Sequence, residues 1–170
     1  MPIHPRTTPH MEQVITTLGR LYGVNVEQPG AVLKLELPSY MPLVIERLTK
    51  ESLSVTHYRM KDSPLDDTIA DPDVEFFISE GGWLPVAIQQ PEIAILGQIL
   101  GGYNSYAFLE RGGSVTVLDP AGQAALAEFV ELWADNLRHQ GWTTRASVVY
   151  RQPLEAEEQP AAPTTSPPTT

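Results

Sequence analysis

Short segments between residues 33 and 89 alternate apolar and polar side chains with a period of two, and this constrains the fold more than any other feature. Leu33, Leu35 and Leu37, for example, alternate with two charged residues. Such alternation is typical of strands that bury one face, and it predicts further strands over residues 41–48, 53–60, 74–78 and 83–89. A polar stretch from Lys61 to Asp73 is expected to interrupt the sheet. Because the other strands are joined by short turns, the pattern predicts an antiparallel meander.

Two amphipathic helices flank the predicted strands. The first has Thr8 as its N-cap and ends at Gly23, and the second runs from Pro120 to about Gln140 with Trp133 on its apolar stripe. The predicted fold class is therefore α+β, with an antiparallel meander sheet packed by an N-terminal helix and a long C-terminal helix, followed by a disordered tail.

Three segments complete the predicted fold. Residues 91–102 are apolar but too short for periodicity to distinguish a buried helix from a strand. Residues 103–111 and 114–118 flank Gly112-Gly113, which is the composition of a hairpin turn, and residues 143–150 are predicted to add a last strand. Trp83 and Trp142 lie at element ends, where partial exposure would make them weak candidates for contact residues.

The length of 170 residues fits one domain with flexible ends. Residues 1–8 are predicted to be a flexible N-terminus and residues 9–150 a single α+β domain. Residues 151–170 are rich in Pro, Thr and Ala, with Leu154 as the one large aliphatic residue. Such a segment buries too little apolar surface to offset its ordering entropy, which predicts a disordered tail.

Charge and composition restrict the partners. Lys and Arg number 11 against 21 Asp and Glu, for a formal net charge of -10. This balance argues against direct binding to nucleic acid, whose affinity depends on basic patches. It favours a basic protein partner, a cation or plain solubility. Cysteine is absent, no apolar run suits a membrane span or a signal peptide, and the sequence predicts a cytoplasmic protein.

One polar group of residues is the candidate site. No phosphate-binding loop, dinucleotide fingerprint, zinc motif or nucleophile motif occurs in the sequence, so no catalytic residue, metal ligand or cofactor is predicted. If the strands around residues 57 and 73 pair as a hairpin, His57 and Tyr58 lie near Asp71 and Asp73. A carboxylate could then orient the imidazole for proton transfer, or both groups could hold a divalent cation. The alternative is structural. Asp71-Pro72-Asp73 is then a turn that begins a strand, and His57 donates a hydrogen bond to a carboxylate at a half-buried edge. Most lone His–Asp pairs have such a structural role.

A second candidate is an acidic interaction surface. Its members are carboxylates of the acidic run over residues 62–80, namely Asp62, Asp66, Asp67, Glu75 and Glu80. A surface of this kind can imitate DNA phosphates and occupy the basic groove of a nuclease. Because uncharged residues interrupt the run, a solvated loop is the simpler interpretation.

The segment from Met41 to Trp142 resembles an uncharacterised family of small bacterial proteins carried on plasmids, phages and other mobile elements. The resemblance is carried by Met41–Leu48, by Leu53–Tyr58, by Ala70-Asp71-Pro72-Asp73 and by the ending from Phe129 to Trp142. A second, proteobacterial family of unknown function has a similar Thr-His-Tyr strand followed by Ala-Asp-Pro-Asp. Neither family has an established activity, so the resemblance assigns no role to His57, Tyr58, Asp71 or Asp73.

Three hypotheses about function follow. The leading one is a small acidic cytosolic binding or accessory protein that acts through protein contacts, in a mobile-element or host-defence setting that includes DNA mimicry. The second is a small enzyme or divalent-cation-binding domain centred on His57, Asp71 and Asp73, and the sequence favours a non-enzymatic role over it. The third is a homodimer that pairs through a free sheet edge.

Overall fold

Seven antiparallel strands form the central sheet in the computed structural model, which describes residues 4–59 and 69–152. The helices are α1 (Pro9–Leu21), α2 (Pro120–Gln140) and α3 (Trp142–Arg145), and the strands are β1 (Val32–Glu36), β2 (Leu43–Arg47), β3 (Ser52–Arg59), β4 (Ile69–Ser79), β5 (Gly82–Ile95), β6 (Gln98–Ser105), β7 (Ala107–Leu109), β8 (Val115–Val117) and β9 (Ser147–Gln152). Within the described ranges, no helix combines the length and the apolarity that crossing a membrane requires.

The sheet has the order β6-β5-β4-β3-β2-β1-β9, so the first six strands form the predicted meander and β9 adds to its β1 edge. The predicted interruption up to Asp73 is wrong at its C-terminal end, because β4 begins at Ile69. Asp71-Pro72-Asp73 therefore lies inside a strand, with Thr56 of β3 opposite Asp73. Residues 61–68 of the predicted interruption lie outside the described residues.

Helices α1 and α2 pack together on one face of the sheet, which confirms the predicted fold class. Helix α1 begins after Thr8, whose carbonyl accepts the first helical hydrogen bond from Glu12 at 3.0 Å. Helix α2 is capped by Asp119, whose carboxylate accepts from the Gly122 amide at 2.9 Å. Gly141 ends α2 with a φ of 95°, a left-handed conformation that glycine adopts without a steric penalty.

The core lies between the helices and this face, hereafter the helix face. Trp133 is buried there as predicted, but the expected partial exposure of Trp83 and Trp142 is wrong, because both are buried as well. Trp142 opens α3, which turns the chain back under α2 and places the indole against His57 at 5.5 Å between ring centroids. Trp83 packs on Phe76 at 5.8 Å.

Residues 91–102 are strand rather than helix. They form the outer parts of β5 and β6, which pair through Ile93–Leu100, Ala94–Ile99 and Ile95–Gln98. A helix would need a surface on which to bury its apolar stripe, whereas the hairpin needs only its own ladder of hydrogen bonds. The predicted hairpin around Gly112-Gly113 forms as β7–β8. Its first strand is shorter than predicted, because residues 103–105 belong to β6 and pair with β5.

The two chain ends make contacts that the sequence pattern did not indicate. The Arg6 amide, in the segment predicted to be flexible, donates to Gln123 Oε1 at 2.8 Å, and Gln123 Nε2 donates to the Arg6 carbonyl at 2.9 Å. Strand β9 confirms a last strand, but it begins at Ser147 because residues 143–145 belong to α3. It also includes Arg151 and Gln152, two residues assigned to the tail. The remainder of the predicted tail, residues 153–170, lies outside the described residues.

Candidate functional site

The predicted polar residues divide between the two faces of the sheet, because successive side chains of a strand point to opposite sides. On β3, Leu53, Val55 and His57 are buried toward the helices, while Ser54 and Thr56 lie on the opposite side, hereafter the second face. On β4, Val74 and Phe76 belong to the core under the helices, which leaves Asp73 and Glu75 on the second face.

His57 is built into the core. Its ring lies 5.5 Å from the rings of both Trp133 and Trp142, and 8% of the residue is exposed. Nδ1 lies 3.0 Å from the Met41 carbonyl oxygen and 3.3 Å from that of Pro42. Because a carbonyl only accepts, Nδ1 carries the proton in these hydrogen bonds.

The surroundings of His57 favour its neutral form. Burial lowers the pKa of His57 below its ordinary value of 6.5, and this outweighs the two carbonyl hydrogen bonds and the negative charge of Asp71, all of which raise it. The β3–β4 register shifts between Thr56 and Tyr58, across from the segment that carries Asp71, and the charge of Asp71 is the smallest of these influences on His57. Asp71 thus influences His57 through its charge, while the hydrogen bonds of the imidazole go to backbone carbonyls.

Asp73 takes part in a different group, on the second face. Its Oδ1 accepts from Ser54 Oγ at 2.6 Å and from Thr56 Oγ1 at 2.8 Å, and the two hydroxyl oxygens are 3.0 Å apart. Burial and the charge of Asp73 raise the pKa of Tyr58, and a hydrogen bond with Thr56 opposes them. Tyr58 and Asp73 are therefore neighbours, but they are separate from the imidazole of His57.

Two further residues complete the second-face group, and the sequence analysis assigned neither to the polar site. Glu75 follows Asp73 by two positions, and burial, then repulsion from Asp73, raises the pKa of its carboxyl. The hydroxyl of Tyr103 on β6 lies within hydrogen-bonding reach of Glu75. The two-residue spacing of Asp73 and Glu75 is a local sequence signal that they share a face of the strand. No local signal marks Tyr103, because its position depends on the β5–β6 pairing.

The predicted acidic surface is described only in part. Asp62, Asp66 and Asp67 lie outside the described residues. Glu75 is half-buried on the second face, whereas Glu80 is exposed in the turn between β4 and β5. The two described members therefore lie in different surroundings.

The metal hypothesis requires several converging ligands. Over residues 4–59 and 69–152, no three His, Asp or Glu side chains are grouped in a way that could hold a metal ion. The Asp73 oxygen that faces the hydroxyls of Ser54 and Thr56 accepts two hydrogen bonds at short distance. Hydroxyl donors of this kind stabilise a carboxylate without a cation.

A large apolar surface occurs elsewhere, on the outer part of the β5–β6 hairpin. We call residues 93–100 the hairpin arm. Its exposed large apolar side chains are Ile93, Ile95, Leu96, Ile99 and Leu100. Leu96 at the tip is completely exposed and has a φ of 51°, in the left-handed region.

The base of the arm is formed by a close approach of two strands. A Cβ at Gly101 would lie 2.1 Å from the Pro91 carbonyl oxygen, so no larger residue fits there without a backbone shift. Between residues 91 and 104, Glu92 is the single charged residue. The arm is thus an uncharged apolar projection on a strongly acidic chain.

The chain was compared with known families and structures. Residues 13–143 match a family described as a domain of unknown function, DUF6908, and the chain belongs to that family. No curated protein and no solved structure matches it.

Proposed function

We propose that this member of the DUF6908 family is a binding protein whose hairpin arm inserts into an apolar groove of a basic partner protein. The observation that carries the proposal is Leu96, a fully exposed leucine in a left-handed backbone conformation at the tip of the arm. Left-handed turn positions favour Gly, Asn and Asp, and a leucine there costs about 1 kcal/mol. An apolar residue that is locally unfavourable and faces solvent is explained by a contact made outside the chain.

The rest of the arm supplies the kind of surface that binding interfaces use. Ile99 and Leu100 are more than half exposed beside the tip, and desolvation of one such side chain contributes about 1.5–3 kcal/mol. Interfaces concentrate their binding energy in a few apolar anchors of this type, which a polar rim surrounds.

The net charge of -10 supports a basic partner. Opposite charge accelerates the encounter and selects among partners, while the apolar anchors supply most of the affinity. The resemblance to proteins of plasmids and phages supports a partner that handles nucleic acid, within a host-defence or plasmid-maintenance role. DNA mimicry by the acidic surface is one version of this role.

The test is affinity purification from lysate of the native host with three immobilised proteins: the natural chain, Leu96→Asp and Leu132→Asp. Aspartate tolerates the left-handed backbone at position 96, so Leu96→Asp removes the anchor without harming the turn. Leu132 is 61% exposed on α2 and provides a matched control. We expect one basic protein to be retained by the natural chain and by Leu132→Asp, and Leu96→Asp to weaken its binding at least tenfold.

Two further measurements sharpen the test. The affinity of the purified partner should fall as salt is raised, because screening weakens its attraction to the acidic chain. Light scattering determines whether the arm instead binds a second copy of this chain. If the natural chain is a dimer and Leu96→Asp is a monomer, the arm serves self-association and not a basic partner. Recovery of only chaperones and ribosomal proteins at low salt, or equal retention by Leu96→Asp, would refute the proposal.

A further inference from the structure

A half-enclosed cleft lies between the second face of the sheet and the β7–β8 hairpin, and its wall residues lie outside the hairpin arm. We call it the Glu75 cleft, and its volume is about 190 Å³. Its wall includes Glu75, Phe77, Tyr103, Ser105, Phe108 and Leu109. Drug-sized pockets occupy roughly 300–1,000 Å³, so the cleft suits a compact ligand.

The cleft has an apolar part and a polar part. Phe77 of β4 and Phe108 and Leu109 of β7 supply apolar surface. Glu75 supplies a half-buried carboxylate, beside the hydroxyls of Tyr103 and Ser105. Glu51 also lines the cleft, but it forms an ion pair with Lys50 at 3.4 Å. An apolar wall beside a carboxylate recognises an amphipathic molecule that carries the opposite charge at one end.

The surroundings of Glu75 favour a ligand with a positive charge. Asp73 repels it from two positions away on the same strand, and burial weakens its solvation. Among the side chains that the structure describes, the ion pairs are Arg6–Glu128, His10–Asp135 and Lys50–Glu51, and none involves Asp73 or Glu75. Asp73 accepts from the hydroxyls of Ser54 and Thr56. Glu75 has a neutral donor, the Tyr103 hydroxyl, within reach, so a bound cation would supply the opposite charge that these described ion pairs do not give it.

We propose that the Glu75 cleft binds a small arylalkyl amine, with the ammonium group on Glu75 and the aromatic ring between Phe77 and Phe108. The ammonium donates to the carboxylate in a charge-assisted hydrogen bond. Its charge also relieves the repulsion between Asp73 and Glu75. The ring covers apolar surface of the β7–β8 hairpin and gains the area-dependent stabilisation of burial.

The test is a two-dimensional NMR titration with three probes of one size: 2-phenylethylamine, 2-phenylethanol and 3-phenylpropanoate. We expect the amine to bind about tenfold or more tightly than the alcohol, because a hydrogen bond between charged groups is stronger than a neutral one. The propanoate should not bind. Shifted resonances should map to β4, β6 and β7.

Three variants isolate the cleft. Glu75→Gln keeps the shape and removes the charge, so the amine should lose its advantage over the alcohol. Glu80→Gln removes one carboxylate from the exposed turn next to the same strand and should leave the preference intact. Phe108→Ala should lower the affinities for the amine and for the alcohol by similar factors, because it removes part of the apolar wall that both probes contact.

The proposal would be overturned by equal affinity of the natural chain for amine and alcohol, by an unchanged preference in Glu75→Gln, or by no saturation at tens of millimolar amine. It does not depend on the hairpin arm. Leu96→Asp should bind the amine like the natural chain, so failure of the protein-binding proposal and failure of this one give different results.

Discussion

The two faces of strand β3 differ in almost every physical respect, although their residues alternate along one short segment. The helix face holds His57 between two tryptophan rings, with its Nδ1 on backbone carbonyls. The second face holds Ser54 and Thr56, whose hydroxyls donate to Asp73. The first face is stabilised by aromatic packing and the second by hydrogen bonds to a charged group.

This difference shows why neighbours in the sequence need not share a site. His57 and Tyr58 are adjacent, yet His57 packs in the core and Tyr58 lies near Asp73 on the opposite side. The predicted residues therefore do not form one group around the imidazole. The polar surface that continues into a cleft is the one around Asp73 and Glu75, and it lacks the imidazole.

The largest expected effect comes from removing the aromatic packing on the helix face. Trp142 is fully buried and contacts both His57 and Tyr40. Trp142→Ala should lower the free energy of unfolding by about 3–5 kcal/mol, because it removes the largest class of side chain and leaves a cavity. Urea denaturation measures the change.

Tyr40→Ala is the control for this substitution. Tyr40 contacts the same indole, with 6.3 Å between ring centroids, but it is 42% exposed. Its truncation should therefore cost much less than that of Trp142. Similar costs for the two variants would contradict the description of the helix face as the tightly packed side.

A smaller effect is expected on the second face. Asp73→Ala leaves the hydroxyls of Ser54 and Thr56 without their acceptor, which should cost about 1–3 kcal/mol of unfolding free energy. Relief of the repulsion between Asp73 and Glu75 offsets part of this loss. A double-mutant cycle with Thr56→Val should give a coupling energy of about 1 kcal/mol, and strict additivity would show that the hydrogen bond contributes nothing.

The same substitution has a second, independent readout. Asp73 raises the pKa of Glu75, so Asp73→Ala should bring that pKa down toward its ordinary value of 4.5. Side-chain NMR titration of the Glu75 carboxyl measures the shift. An unchanged pKa would mean that burial alone is responsible.

The sequence predicted the helices and strands of this fold better than it predicted how they pack together. Alternation in β1 to β5 and the capping residues Thr8 and Asp119 are local signals, and the structure confirms the elements that they mark. Pro91–Gly102 could not be assigned, because an exposed hairpin and a buried helix share the same apolar composition and the difference depends on what lies nearby.

The errors have a common physical cause. The polar residues before Asp73 suggested a loop, but pairing with β3 extends the strand to Ile69. Trp83 and Trp142 lie at element ends, and their burial follows from how α3 and β5 pack against distant residues. Tertiary contacts override local propensity in each case.

The smallest of the three stability effects should come from pH, because it involves one proton on His57. The folded protein holds this imidazole neutral, with a pKa below 6.5, while the unfolded chain protonates it near the ordinary value. Between the two pKa values the unfolded state binds more protons, so stability is complete above about pH 6.5 and falls as the pH is lowered through that window.

Urea midpoints from pH 8 to pH 5 should show this fall in the natural chain. The fall should be reduced in His57→Gln and retained in His139→Gln, which replaces an exposed histidine. Parallel pH profiles for all three proteins would mean that the imidazole on the helix face is not held neutral, and the contrast between the faces would then rest on packing alone.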